Sequence, residues 1–219
     1  MKQRIIVFCG AFNPPTFAHL HAAQLAINTV KADLLYWVPS KSRYISDVQK
    51  KDMAFSEEER YRQLQKMIHD DHNIARPGCE FMAVCRYELD AKEQPKTLRT
   101  LQEIQKLHPD AEIFLLLGSD KLPELETGWA FIDELLNDFR VIVLPRFHEN
   151  AEQIISQNAF LNSHKTSFVI AETGVKEQDL SSTKVRQILH EIEKDWKSVS
   201  NMVPSGALEQ IKKEVFLHA

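Results

Sequence analysis

The sequence predicts an α/β protein: a doubly wound parallel sheet with helices on both faces, in a single domain spanning residues 1–219. Three observations carry this. Short runs rich in Val, Ile and Leu stand unbroken instead of alternating with polar residues, as strands buried on both faces do. Longer segments with apolar residues at helical spacing separate them, so strand and helix alternate along the chain. The length, 219 residues, suits one domain with a substantial core. No internal repeat, low-complexity tract or linker interrupts the pattern.

The elements follow in order. Arg4 to Cys9 (RIIVFC) reads as a buried strand, with Cys9 in the core. His19 to Lys31 carries Leu20, Ala23, Ile27 and Val30 at helical spacing, and Leu34 to Pro39 is the next strand. Residues 40–54 (SKSRYISDVQKKDMA) are polar, basic and aperiodic, and read as a mobile loop over the sheet edge. Ser56 to Ile68 is a helix opened by Ser56 and Glu59 in capping-box spacing. Phe81 to Leu89 reads as a strand, Thr97 to Leu107 as a helix and Glu112 to Leu117 (EIFLLL) as the clearest buried strand. Phe139 to Leu144 and Ser167 to Ala171 are the remaining strands. Helices are expected at Ala130–Leu136, Ala151–Ala159, Thr183–Glu193 and Gly206–Val215.

Composition narrows the function. Apolar residues make up 43% and charged residues 26%, and the formal net charge is −4. That balance argues against nucleic acid or a membrane as the main partner, while leaving room for a local basic pocket. No apolar run has transmembrane length, and the N-terminal MKQRIIVFCGAF has no signal-peptide cleavage pattern. Cys9, Cys79 and Cys85 are odd in number and lack zinc spacing. Reduced thiols in a cytoplasmic protein are the expectation, with no protein-held metal.

Two loops carry the chemistry. The first is GAFNPPTFAH, Gly10 to His19, between the first strand and the first helix. Gly10 allows close backbone approach or an unusual φ. The two prolines extend the loop, and Pro14 keeps Asn13 out of the helical region. His19 falls in the first helical turn, where unpaired N–H groups and the positive dipole end suit a phosphate. There is no GxGxxG or Walker A pattern. The second loop is LSSTKVR, Leu180 to Arg186, ahead of a periodic helix. Ser181 or Ser182 caps that helix, and hydroxyls, N–H groups and the Arg186 guanidinium converge on one point.

Together these motifs resemble the nucleotidyltransferase superfamily, with signatures near Gly-x-Phe-(Asp/Asn)-Pro-x-(His/Thr)-x-x-His and Ile-Ser-Ser-Thr-x-(Ile/Val)-Arg. Within it the chain is most similar to the nicotinamide/nicotinate mononucleotide adenylyltransferases. Further matches span nearly the whole chain: Lys50-Lys51-Asp52-Met53 with Arg60, Glu88 with Thr97-Leu98-Arg99-Thr100-Leu101, Gly118-Ser119-Asp120 with Trp129, Arg146, and Val203-Pro204. Two departures stand out. Thr16 replaces the first His of the bacterial His-x-x-His, and Val38-Pro39-Ser40-Lys41-Ser42-Arg43 replaces the Pro-Pro-His-Lys loop. The phosphate-loop cation is therefore open among Lys41, Arg43, Lys50 and Lys51.

The resemblance implies a Rossmann-like fold, with the helical part from about residue 183 carrying the second motif, and transfer of the ATP adenylyl group to a pyridine mononucleotide. It assigns catalysis to His19, Arg186 and Lys51. ATP would lie against Gly10, Ala11, Phe12, Thr16, His19, Lys50, Ser182, Thr183 and Arg186. The mononucleotide would meet Thr97, Gly118, Asp120, Trp129 and Arg146: Asp120 on a ribose hydroxyl, Trp129 stacked on the pyridine ring, Thr97 by the ring substituent. Mg²⁺ would arrive with ATP, held by phosphate oxygens and water. The partners are those two small molecules, without nucleic acid or membrane, in a possible homo-oligomer. Nicotinate and nicotinamide acceptors stay open. The competing readings are a sibling adenylyltransferase acting on an acceptor such as phosphopantetheine, a small cytidylyltransferase, and a non-catalytic nucleotide sensor on the same fold. The length and the lack of a basic face argue against a fragment of a class I aminoacyl-tRNA synthetase.

Overall fold

The computed structural model describes residues 2–52, 54–70, 81–145, 150–172, 181–191 and 194–217. The chain runs through β1 (Arg4–Gly10), α1 (Phe17–Val30), β2 (Leu34–Pro39), a π-helical turn (Tyr44–Val48) and α2 (Glu57–Asp70). Then come β3 (Phe81–Val84), the single turn α3 (Tyr87–Asp90), α4 (Thr97–Leu107) and β4 (Glu112–Gly118). A 3₁₀ turn (Ser119–Lys121), α5 (Leu122–Gly128) and α6 (Ile132–Asp138) lead to β5 (Arg140–Leu144), α7 (Ala151–Gln157), α8 (Ala159–Ser163) and β6 (Phe168–Ile170). The last described elements are α9 (Ser182–His190), α10 (Trp196–Ser200) and α11 (Ser205–Leu217).

Among the described residues the strands form one six-stranded sheet in the order β3-β2-β1-β4-β5-β6. All five pairings are parallel, with Val7 opposite Tyr36 on one side and Leu115 on the other. The unbroken apolar runs have their reason here. Ile6, Leu35, Trp37, Phe114, Leu116 and Ile142 pack on the face carrying α1, α2, α9, α10 and α11. Ile5, Val7, Leu34, Val38, Ile113, Leu115, Val141 and Val143 pack on the other, against α4 to α8. Alternate residues serve opposite cores, so no position in the run is left for a polar side chain. The strand order reverses between β1 and β4, and ligands of such sheets settle beyond the carboxyl ends at that reversal. The loops after β1 and β4 therefore flank the natural site.

Several expectations need correction. The strand expected over 81–89 ends at Val84. Cys85 N–H makes the last ladder bond, to Trp37 O at 2.8 Å, and the chain then coils into α3. The segment 40–54, expected as an aperiodic loop, contains the π-helical turn. Within that turn only Ile45 is buried, fully, and one apolar anchor in a polar stretch leaves no period to read. Helices α3, α5 and α10 were not expected; they are short, and only the Asp195 cap, accepting from Ser198 N at 3.0 Å, marks the last of them. The expected helix over 151–159 breaks into α7 and α8, and the second is capped by Asn158 accepting from Leu161 N at 2.8 Å. The box opening α2 is present: Ser56 N donates to Glu59 at 2.7 Å and Glu59 N to the Ser56 hydroxyl at 3.3 Å. No helix of the described residues is long and apolar enough to cross a membrane.

Candidate active site

The loop after β1 turns on Phe12. Its φ is +44°, a left-handed value that costs a bulky residue about 1–3 kcal/mol. The ring is buried, edge-on to Phe8, Trp37 and His19 at 5.2–5.3 Å. Gly10 makes that packing possible: a Cβ there would lie 2.9 Å from the tip of the Phe12 ring. Of the two roles open to Gly10, close approach or an unusual φ, the close approach is the one seen, to an aromatic ring, and the unusual φ falls at Phe12.

Thr16 caps α1 and forms a capping box with His19. Thr16 N–H donates to His19 Nδ1 at 3.1 Å, and the Thr16 hydroxyl lies 2.9 Å from the same nitrogen. A backbone N–H only donates, so Nδ1 is the acceptor and the neutral ring carries its proton on Nε2. Thr16 itself is 0% exposed. Its place is at the start of α1, against His19.

The second motif docks directly onto the first. Ser181 caps α9, accepting from Lys184 N at 3.2 Å. The Ser182 hydroxyl donates to Pro14 O at 2.8 Å, and Arg186 Nη1 donates to Asn13 O at 2.9 Å. Arg186 Nη2 also reaches the Thr183 hydroxyl at 3.2 Å. Segments more than 160 residues apart in sequence therefore share one edge. Burial lowers the Arg186 pKa, and the Asp52 carboxylate opposes the shift. Leu180 lies outside the described residues.

Asn13 gathers a third segment. Its Oδ1 accepts from Ala54 N at 3.3 Å and Phe55 N at 3.2 Å, and its Nδ2 donates to Asp52 O at 2.9 Å. That brings the 50–52 stretch beside the first loop. Lys50 and Lys51 are exposed, and Lys50 has a left-handed φ of +53°. Of the other candidate cations, Lys41 donates to Leu89 O at 2.7 Å and lies 3.8 Å from Glu57. Arg43 points into solvent and pairs with Asp47 at 3.3 Å.

The side beyond β2 and β4 is built on a buried carboxylate. Glu88 is 2% exposed and accepts from Gln94 Nε2 at 2.5 Å and the Thr100 hydroxyl at 2.9 Å. Burial raises its pKa, against hydrogen bonds from Gln94, Thr100, Ser40 and Cys9. Cys9 packs against the apolar cluster beside this carboxylate, and burial and Glu88 both push its thiol well up. Thr97 begins α4 next to this cluster, although Thr100 makes the contact. Gly118 ends β4, and Asp120 follows in the 3₁₀ turn, with Lys121 Nζ at 3.7 Å from its carboxylate. Trp129 ends α5 half-buried, packed against the apolar cluster beneath α4 and α5. Arg146 lies outside the described residues. Sequence reasoning passed over the parts played by Asn13, Arg60 and Glu88, because what they grip is mostly backbone or buried.

Comparison with known proteins agrees with this geometry. The model of the cytidylyltransferase-like family matches residues 7–188, from β1 into α9 and through both motifs. The chain is similar to a probable nicotinate-nucleotide adenylyltransferase of Clostridium acetobutylicum, 28% identical over 97% of this chain and 98% of that one. It is also similar to one of Staphylococcus haemolyticus, 25% identical over 98% and 97%. In fold it matches the Plasmodium falciparum nicotinic acid mononucleotide adenylyltransferase complexed with NaAD. The TM-score is 0.74, at 19% identity over 97% of this chain and 96% of that one.

Proposed function

The chain belongs to the cytidylyltransferase-like family, and from that premise we propose that it transfers the adenylyl group of ATP to nicotinate mononucleotide. The products are the deamido dinucleotide of the NAD biosynthetic route and pyrophosphate; nicotinamide mononucleotide, giving NAD, is the alternative acceptor. The observation that carries the reading is the docking of the two motif loops through Ser182 to Pro14 O and Arg186 to Asn13 O. It sets two helix N-termini, a histidine and an arginine at one edge of the sheet. The relatives' names support nicotinate as the acceptor.

The chemistry needs no base. A phosphate oxygen of the mononucleotide is already an anion; it attacks the α-phosphorus of ATP while the bond to the β-phosphate oxygen breaks and pyrophosphate leaves with the electron pair. Catalysis is then alignment and neutralisation of charge moving onto the leaving group. His19 donates from Nε2, the tautomer enforced by Thr16. Arg186, Lys50 and Lys51 add positive charge, and the N-terminus of α9 offers the N–H groups of Ser182 and Thr183. Mg²⁺ enters as part of the MgATP substrate. Asp120 accepts from the ribose, and Trp129, Thr97 and Arg146 serve the mononucleotide.

One assay tests the proposal. The protein is mixed with ATP and Mg²⁺ and with either mononucleotide in parallel, and dinucleotide and pyrophosphate are measured. Faster product formation with nicotinate mononucleotide is expected. Product only with another phosphate acceptor, or none with ATP bound, rejects it.

A further inference from the structure

Arg60 is 0% exposed, among the largest fully buried side chains described. It stands in the first turn of α2. Nη1 donates to Ala11 O at 2.7 Å, and Nη2 donates to Ser40 O at 2.6 Å and the Ser42 hydroxyl at 3.3 Å. Among the described residues no carboxylate lies within ion-pair distance of it, and its Nε has no partner. The nearby Glu57 is engaged by Lys41 at 3.8 Å and by Ser42 N at 2.8 Å. Burial pushes the Arg60 pKa down to about 10. A buried cation held only by carbonyls and a hydroxyl is an expensive staple for two loops. Its benefit should therefore be sought in what it does to those carbonyls.

Peptide planarity supplies the answer. When the Ala11 carbonyl points at Arg60, the N–H of Phe12, in the same trans peptide, points the opposite way. The Ser40 peptide obeys the same rule: its carbonyl meets Arg60, and the Lys41 N–H turns to Gln94 Oε1 at 2.9 Å. Three carbonyls of the first loop are held from behind. Ala11 O goes to Arg60, Asn13 O to Arg186 and Pro14 O to Ser182. Carbonyl oxygens left facing the ligand would repel a phosphate. Turned inward, they face away from it; of these three peptides only that of Ala11 carries an N–H opposite its carbonyl, on Phe12, since Pro14 and Pro15 have none.

We infer that Arg60 is a positioning residue for nucleotide binding: by gripping the carbonyls of Ala11 and Ser40 it fixes the Phe12 peptide with its N–H toward the phosphates of ATP. The inference rests on the adenylyl-transfer reading of this edge. Arg60 touches no substrate, and it links the loop after β1 to the loop after β2.

The test uses the whole chain labelled with ¹⁵N-phenylalanine, which marks 12 residues, with the Phe12 amide assigned through Phe12→Leu. MgATP is titrated into wild type and Arg60→Lys, and kcat and both KM values are measured with nicotinate mononucleotide. In wild type the Phe12 amide signal shifts on ATP binding. In Arg60→Lys, which keeps the charge and loses the fork, that shift is lost and kcat falls about 100-fold, the order expected for ~1 Å misplacement. KM for the mononucleotide changes far less. Wild-type kcat and a wild-type Phe12 shift in Arg60→Lys overturn the inference, as does a variant of lower Tm with unaltered kcat. Should Arg60→Lys fail to fold, the wild-type titration decides alone: a Phe12 amide unmoved at saturating ATP refutes it. Protein that binds ATP and shifts Phe12 but makes no dinucleotide rejects the acceptor assignment and leaves the inference standing; absence of ATP binding rejects both.

Discussion

Thr16→Val separates two accounts of the residue that replaces the expected first histidine. Valine matches threonine in shape and removes only the hydroxyl. That hydroxyl caps α1 and lies 2.9 Å from His19 Nδ1, while the Thr16 backbone N–H, at 3.1 Å, survives the substitution. Losing an N-cap costs about 1 kcal/mol. For a chain of 219 residues that lowers Tm by about 2–4 °C. The His19 ring keeps its tautomer through the backbone and loses one tether worth about 0.5–1.5 kcal/mol, so turnover falls about 2- to 10-fold. Thr16→Ser restores both values, since serine caps as well as threonine. The assays are thermal unfolding and steady-state dinucleotide synthesis at varied ATP. An unchanged Tm, with KM for ATP raised more than about 10-fold, refutes the reasoning: a charge-assisted hydrogen bond to phosphate is worth that much, and the hydroxyl would then be touching substrate.

Three further outcomes are expected. His19→Ala and Arg186→Ala each cut turnover by about 10²–10³, the usual loss for one transition-state donor; both also lower Tm, since the first strips the Thr16 N–H of its acceptor and the second strips Asn13 O of its partner, and near wild-type rates in either variant reject the assigned roles. Gly206→Ala places a Cβ 2.3 Å from Lys66 O, a backbone atom of α2 that cannot rotate away. The resulting strain of about 1–3 kcal/mol lowers Tm by about 3–10 °C despite alanine's better helix propensity, and an unchanged or raised Tm disproves the close approach of α11 to α2. Glu214 is 2% exposed, and burial raises its pKa above 4.5 while Gln210, Gln63 and Arg62 oppose the shift. The folded state then holds this proton to higher pH than the unfolded chain, so its contribution is present below 4.5 and lost as pH rises through the folded value. The unfolding free energy of Glu214→Gln minus that of wild type should accordingly grow with pH above 4.5 and then level; a pH-independent difference refutes the raised value.

What the sequence made legible follows from which atoms do the work. The six strands were readable because both faces of the sheet are buried and every position in a run, from Ile5 to Val7 or Ile113 to Leu116, must be apolar. Where one residue anchors a polar stretch, as Ile45 does, no period forms and the element was missed. The two motif loops were readable because distinctive side chains gather at helix starts in few residue types. The frame beneath them was not. Asn13, Arg60, Ser182 and Arg186 direct donors at the carbonyls of Asp52, Ala11, Ser40, Pro14 and Asn13, and a carbonyl belongs to every residue alike. Nothing in the letters distinguishes Ala11 as an acceptor, so Arg60 could be recorded as part of a pattern but not given a task. The same fact bears on the proline pair. Pro14 and Pro15 have no N–H to satisfy, so a loop fastened by its carbonyls can contain them without leaving a buried donor unpaired. The break in the sequence that first points to a ligand is thus also the break that lets α2 and α9 hold the loop from behind.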